Sequence, residues 1–376
     1  MKKLKVAIVH DYLKEYGGAE RVVETLLEIW PDAPVYTSVF VPGYAGPHEE
    51  RIKRWNIKTS FLQQIPFKEK LISIFRLIAP LVFRSFDLSD FDVVITSTAG
   101  TYTSPNFVKI GSKTTLICYC HTPPRYLYGY PVANDWRDGI LRKILFIFGK
   151  IPMIFLRKLD FKSAQIPNYI IANSNEVAGR INKFYKRQST VIYPPVEIPE
   201  ISNKTMIRDY YLAGGRLARS KRNDLAIKAC IKMGLKLKIF GKGFGNIKDE
   251  LYKLANENIE FVGEIDDATK FKLMKGARGY IFPADQEDFG IAPVEAMAVG
   301  TPVIAYKSGG VKETVVEGKT GIFFNELTEE SLSEAIKRFE KTKFNSIDCV
   351  NQAKKFSKER FKKEIKDFVT KSLQEK

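Results

Sequence analysis

Short runs rich in Val, Ile, Phe and Tyr alternate with longer amphipathic stretches along nearly the whole chain. Runs bounded by Gly, Pro, Asn or Asp read as strands buried on both faces, and the stretches between them as crossover helices. In the first half the strands are expected at Lys5–His10, Val35–Phe40, Asp92–Thr98, Thr115–His121, Tyr169–Ser174 and Thr190–Tyr193. A second set begins after Pro194-Pro195 and a polar stretch to about Asp209: Tyr210–Gly214, Leu237–Phe240, Ile259–Gly263, Tyr280–Pro283, Val303–Tyr306 and Gly321–Phe324. Such alternation makes parallel sheets with helices on both faces. The pattern therefore predicts an α/β protein of two doubly wound domains facing a cleft, hinged near residues 195–208. The first is expected to span 1–195 and the second 196–357. A length of 376 residues is enough for two cores.

One segment carries candidate chemistry. Between the strands at Tyr280 and Val303 lie Glu287 and Glu295, astride a helix start at which Pro293 suits the first turn and Gly300 the C-terminus. Glu287 is then expected in the loop at a strand's carboxyl end, and Glu295 in the first helical turn. Backbone N–H groups of Phe289, Gly290 and Ile291 would face a ligand, as helix N-termini do for anions. One carboxylate suits sugar hydroxyls, the other a ribose diol, and the amides between them phosphate oxygens. The combination points to a nucleotide-sugar site. Taken alone, an acid in a first turn stabilises any helix by roughly 0.3–1 kcal/mol, which is the bland alternative for Glu295.

Glu287 to Glu295 is similar to the glutamate-x7-glutamate signature of retaining glycosyltransferases with the GT-B fold. Gly214-Gly215-Arg216-Leu217-Ala218-Arg219-Ser220-Lys221-Arg222-Asn223 resembles that family's phosphate-binding segment, and Phe240-Gly241-Lys242-Gly243 its next strand-end loop. His10-Asp11-Tyr12, Gly17-Gly18-Ala19-Glu20-Arg21 and Cys118-Tyr119-Cys120-His121-Thr122-Pro123-Pro124-Arg125-Tyr126 extend the likeness into the first half. From Val6 to about Phe324 the chain resembles glycosyltransferase family 4, and within it the bacterial O-antigen mannosyltransferases. The resemblance implies two Rossmann-like domains and a C-terminal helix (358–376) that crosses back to the first. It implies mannosyl transfer from GDP-mannose to a lipid-linked saccharide, with the donor phosphates held by Arg216 and Lys221. It also places His121 at the donor sugar and makes Glu287 the partner of a sugar hydroxyl. Donor contacts are expected from Gly17, Gly18, Gly241, Gly243, Gly263, Phe289, Gly290, Ile291 and Glu295. His10 is the weaker histidine, on the acceptor side or structural, and His48 neither. No metal or other cofactor is expected, because Arg216 and Lys221 supply the positive charge.

Charge changes the picture of partners more than of fold. Sixty basic against 43 acidic residues give +17, which fits diphosphates, anionic membrane or nucleic acid; no basic-aromatic nucleic-acid module is present. Lys68–Arg84 puts Leu71, Phe75, Ile78 and Val82 on one helical face among basic residues, and Ile140–Leu156 is denser in Ile, Leu and Phe. Both fall short of the ~20 apolar residues of a spanning helix, but either could lie in an anionic interface. Ordinary core helices are the alternative. Met1-Lys2-Lys3 runs straight into a strand, so a cytosolic protein is expected, peripheral on the membrane if those segments bind. Cys118, Cys120, Cys230 and Cys349 have neither metal nor disulfide spacing. Gly318-Lys319-Thr320 lacks the earlier glycine of a P-loop, and Gly241-Lys242-Gly243-Phe244-Gly245 lacks the last glycine of the dinucleotide fingerprint. Asp90-Phe91-Asp92 precedes a strand and reads as a turn. Alternatives that keep the architecture are a UDP-glucose or other UDP-sugar donor and a nucleotide-sugar epimerase; a non-enzymatic basic membrane or nucleic-acid binder leaves Glu287, Arg216 and His121 unexplained.

Overall fold

A computed structural model describes residues 4–100, 105–131, 140–200, 208–243 and 246–375, with side chains of 140–152 excepted. The chain divides into two compact units: one holds the residues up to Pro195 that form the first sheet together with Glu359 onward, and the other runs from Val196 to Lys358. Each is built on one parallel sheet.

The first sheet comprises β1 (Val6–His10), β2 (Val35–Thr37), β3 (Ile57–Thr59), β4 (Val93–Thr98), β5 (Thr115–Cys120), β6 (Tyr169–Ala172) and β7 (Thr190–Val191), in the order β3-β2-β1-β4-β5-β6-β7. Side chains alternate across a strand, and β1 shows the consequence. Val6 and Ile8 enter one core with Val22, Val23 and Leu26 of the helix Gly18–Ile29, while Ala7 and Val9 enter another with Phe75, Val82 and Phe83. Both faces are covered, which is why the strands are near-continuously apolar. The last helix, Lys358–Gln374, buries Phe361, Ile365 and Val369 in the same core as Ile8.

The second sheet comprises β8 (Tyr210–Gly214), β9 (Leu237–Phe240), β10 (Ile259–Gly263), β11 (Ala277–Phe282), β12 (Val303–Tyr306) and β13 (Gly321–Phe324), ordered β10-β9-β8-β11-β12-β13. The chain enters and leaves this unit side by side: Val196 bridges Ser357, with the Lys358 N–H donating to the Val196 carbonyl at 3.1 Å. In both sheets the strand order reverses beside the first strand, at β1/β4 and at β8/β11. Open α/β sheets bind ligands outside the carboxyl ends of the strands at such a switch point.

Three expectations need correction. The edge strand β3 is absent from the apolar-run reading because its three residues are only half buried or exposed. β11 starts three residues earlier than expected, at Ala277, and a Cβ at its Gly279 would lie 2.6 Å from the Phe339 ring. Lys68–Arg84 is not one helix: Lys68–Phe75 and Ala79–Arg84 are joined by a tighter turn in which the Leu77 N–H donates to Ile74 and that of Ile78 to Phe75. Of the face expected there, Phe75 and Val82 are core and Leu71 packs against it. The hinge expected at 195–208 lies partly outside the described residues, as do the side chains of Ile140–Pro152.

Candidate active site

In the second domain the chemistry gathers at the carboxyl ends of β8 and β11. Chain leaving β8 must turn at once under the end of β9, and glycines permit it. Gly214 has φ +143° and a Cβ there would meet the Phe240 carbonyl at 2.3 Å; Gly241 has φ +124° and a Cβ would fall 1.7 Å from the Gly215 carbonyl. Gly241 also donates its N–H to Gly263 at 2.7 Å, and Leu217 bridges Gly243. These three glycine loops thus form one mutually packed backbone layer. Arg216 is exposed on it.

The loop after β11 is fixed from two sides. The Asp285 N–H donates to the Ser220 carbonyl at 3.1 Å, and the Gln286 N–H to Ser308 Oγ at 3.1 Å. Gly309 and Gly310 press against it so closely that a Cβ on either would lie 2.2 Å from the Glu287 carbonyl and 2.4 Å from that of Asp288, respectively. Thus held, Glu287 Oε2 accepts from Lys221 Nζ at 2.5 Å, both side chains about one-fifth exposed. Arg219 pairs instead with Glu250 and Arg222 with Asp224, so the basic turn sorts its cations, and Lys221 is the one that meets the glutamate.

Gly290, with φ +90°, caps the helix Ile291–Ala298, and Phe289 is buried with its ring edge-on to Phe356 at 5.4 Å. First-turn N–H groups have no intrahelical acceptor, which leaves that of Ile291 directed out of the helix. Glu295 is not in the first turn, as expected from Pro293, but one turn deeper, because the left-handed glycine starts the helix at Ile291. It is also buried, and Oε1 accepts from Lys270 Nζ at 2.6 Å; Lys270 bonds Asp267 at 2.8 Å in addition. Removing one partner of a buried pair leaves a stranded charge and costs about 3–5 kcal/mol.

In the first domain the equivalent strand ends hold neutral and titratable groups. His10 ends β1 and His121 follows β5, and Ser97 of β4 lies between them: its Oγ is 3.1 Å from His10 Nδ1 and 2.9 Å from His121 Nε2. Glu20 completes the line, 3.4 Å from His10 Nε2, and its second oxygen accepts the Gly17 N–H at 2.8 Å. Burial lowers the pKa of His10, but the hydrogen bond and charge of Glu20 outweigh it and hold the imidazole above its ordinary value. Gly17 caps the helix and Gly18 opens it, exposed, so the pair places Glu20 under His10. His48 stacks on Tyr16, away from this line. A water-sized cavity of about 20 Å³ lies among Thr98, Cys118, Cys120, Thr122, Asp160 and Tyr185. All four cysteines are buried free thiols.

The glycosyltransferase family 4 model matches residues 16–199 and the glycosyl transferases group 1 model residues 197–361, end to end. The chain belongs to the family 4 glycosyltransferases. The alpha-1,3/1,6-mannosyltransferase ALG2 of Candida glabrata is 25% identical over 383 residues, covering 84% of this chain and 78% of that protein. ALG2 of Saccharomyces cerevisiae is 27% identical over 259 residues, and the match covers 55% of this chain and about half, 49%, of that relative's length. HepE from Anabaena, crystallised with UDP and glucose, superposes with a TM-score of 0.72 at 17% identity, covering 98% of this chain and 100% of its own. That likeness shows the fold, two parallel-sheet α/β domains of the GT-B type.

Within this transferase the structure brings Lys221 to Glu287, links the loops of Gly241, Gly243 and Gly263, and sets His121 beside His10 through Ser97. It seats Glu295 on Lys270, a residue the sequence reading passed over; a lysine among polar helix positions carries no signal. Ser308-Gly309-Gly310 was missed too, although a glycine pair just after a strand is the same signal that marked Gly214-Gly215.

Proposed function

We propose that this glycosyltransferase moves a mannosyl residue from GDP-mannose to a lipid-linked oligosaccharide with retention of configuration, in surface-polysaccharide assembly of the O-antigen type. The observation that carries this is the Lys221–Glu287 pair at the β8/β11 switch point, set between rigid glycine loops that let backbone approach a diphosphate. Lys221 and Arg216 hold the donor phosphates through charge-assisted bonds of roughly 1.5–3 kcal/mol each. The Gly290–Ile291 helix start adds amide N–H groups. Glu287 accepts from a hydroxyl of the sugar, and Glu295 offers its second oxygen to the ribose diol while Lys270 keeps the first. His121, steadied by Ser97, supports the sugar as positive charge develops at its anomeric carbon.

As the anomeric C–O bond to the diphosphate breaks, the leaving phosphate takes the electron pair, and Lys221 and Arg216 stabilise that charge. The acceptor oxygen then bonds to the same face of the sugar, and its proton passes to a donor phosphate oxygen. A covalent glycosyl-enzyme would require a second carboxylate about 5 Å from the first. Glu295, buried and bound to Lys270, is assigned to ribose instead. With the diphosphate neutralised by side chains, a chelator should leave turnover unchanged.

The mannosyl assignment draws support from the two ALG2 relatives. A UDP-sugar donor is the second reading, favoured by the UDP and glucose held by HepE. Radiolabelled GDP-mannose and UDP-glucose, each incubated with the protein and a bacterial lipid extract, separate the two. Label from GDP-mannose in the lipid phase with α-configuration supports the proposal. Label from UDP-glucose alone overturns the donor, and a β-linked product overturns retention.

A further inference from the structure

We propose that the first domain carries a bilayer-docking ridge formed by Phe67, Ile74, Leu77 and Leu81. These side chains are 71%, 60%, 52% and 67% exposed, in a segment of fifteen residues. Ile78 between them is 38% exposed. Isolated surface hydrophobics are ordinary, but a contiguous run of large ones marks an interaction surface. The same segment already meets its structural duty from the other side, where Ile72, Phe75, Ala79, Val82 and Phe83 enter the core. The ridge is therefore additional apolar surface that the fold itself does not use. It is also a different face from the one the helical periodicity of Lys68–Arg84 singles out.

Charge decides what the ridge meets. Between Lys68 and Arg84 stand four basic residues and a single acid, Glu69. Arg76 is occupied inside the domain, over the Tyr126 ring at 4.4 Å, whereas Lys70 and Arg84 are exposed beside the ridge. A second copy of a chain with charge +17 would meet like charge; an anionic headgroup layer meets the opposite. Among the described residues no helix is long and apolar enough to cross a membrane. Docking is then interfacial, with apolar side chains below the headgroups and lysine and arginine at their level. The inference is independent of the donor assignment and is tested on protein without nucleotide.

Co-sedimentation of the full chain with vesicles of phosphatidylcholine, alone or mixed with phosphatidylglycerol, provides the test. Wild type is expected to pellet with the mixed vesicles at low salt and much less with the neutral ones. The double variant Leu77→Glu/Leu81→Glu, at exposed positions and with an unchanged melting temperature, is expected to lose binding by about tenfold or more. Lys70→Glu/Arg84→Glu is expected to lose about tenfold as well, with a weaker dependence on salt. Equal binding to neutral and anionic vesicles, no binding by wild type, or undiminished binding by the Leu77/Leu81 variant would each overturn the proposal. So would a wild-type dimer in sedimentation velocity that the same variant dissociates without any vesicle binding. Leu81→Trp gives a second readout: its fluorescence should shift to the blue with anionic vesicles, and an unchanged spectrum contradicts docking.

Discussion

The two sheets share one topology and are furnished differently at the same place. At β1/β4 the strand ends carry a buried line of Glu20, His10, Ser97 and His121, in which the His10 imidazole is held toward its charged form by Glu20, with Asp11 adding to it. At β8/β11 they carry a lysine–glutamate pair on loops whose glycines adopt conformations that other residues rarely reach, with a second such pair buried between the helices before and after β11. The first arrangement is made of side chains and is sensitive to protons. The second is made of backbone and fixed charge, which suits an anion that never changes its charge. The topological switch point supplies the location, and the residues placed there determine the chemistry.

The largest expected effect tests the second domain. Glu287→Ala should lower kcat/KM for transfer by about 10³-fold while nucleotide affinity stays within about threefold, since the loss belongs to the transition state. Steady-state kinetics beside calorimetric nucleotide binding would check it; an equal loss in both would reduce Glu287 to a binding residue. Gly241→Ala comes next. With a Cβ 1.7 Å from a carbonyl oxygen and φ at +124°, it should destabilise by about 3 kcal/mol or more. Gly263→Ala, with φ +85° and open space around its Cβ, should cost only about 1 kcal/mol. Denaturant unfolding of the two variants separates packing strain from backbone strain, and similar losses would mean the loops are not packed as described.

Lys270→Met should raise the donor KM about tenfold with kcat changed little, because Glu295 loses the partner that orients it. Nucleotides lacking the ribose hydroxyls should show no such difference between variant and wild type. The remaining effect belongs to the first domain. Burial, opposed by bonds from Tyr128 and Tyr185, raises the Asp160 carboxyl from 3.8 to about 7. Between these values the folded state keeps a proton that the unfolded chain has lost. Stability should therefore fall as pH rises across that window, by up to about 1.4 kcal/mol per pH unit from this group. Asp160→Asn should flatten that part of the profile, and an unchanged slope would remove Asp160 as its source.

Much of the fold was legible because strands buried on both faces leave unbroken apolar runs, and every strand of the second sheet was located from them. β3 escaped because an edge strand of three partly exposed residues leaves no such run. The split at Arg76–Ile78 escaped because a tighter turn hardly disturbs helical periodicity, yet the face read there holds the core residues Phe75 and Val82. In the site, Glu287 was visible from its place after a strand, and Lys221 and the glycines of the neighbouring loops from the family resemblance. The depth of Glu295 was not, since it depends on Gly290 taking a left-handed φ one turn before Pro293. Lys270 and Ser97 were invisible for a plainer reason: each is a common residue at an ordinary position, and only the tertiary structure brings it to a partner.

The central claim is that the β8/β11 strand ends hold a nucleotide sugar. Isothermal titration of GDP, GDP-mannose, UDP and UDP-glucose into wild type, Lys221→Ala and Glu295→Gln tests it most directly. Wild type should bind GDP and GDP-mannose, with affinity reduced about tenfold or more in both variants. Folded wild-type protein that binds none of the four, or variants that bind as tightly as wild type, would contradict it.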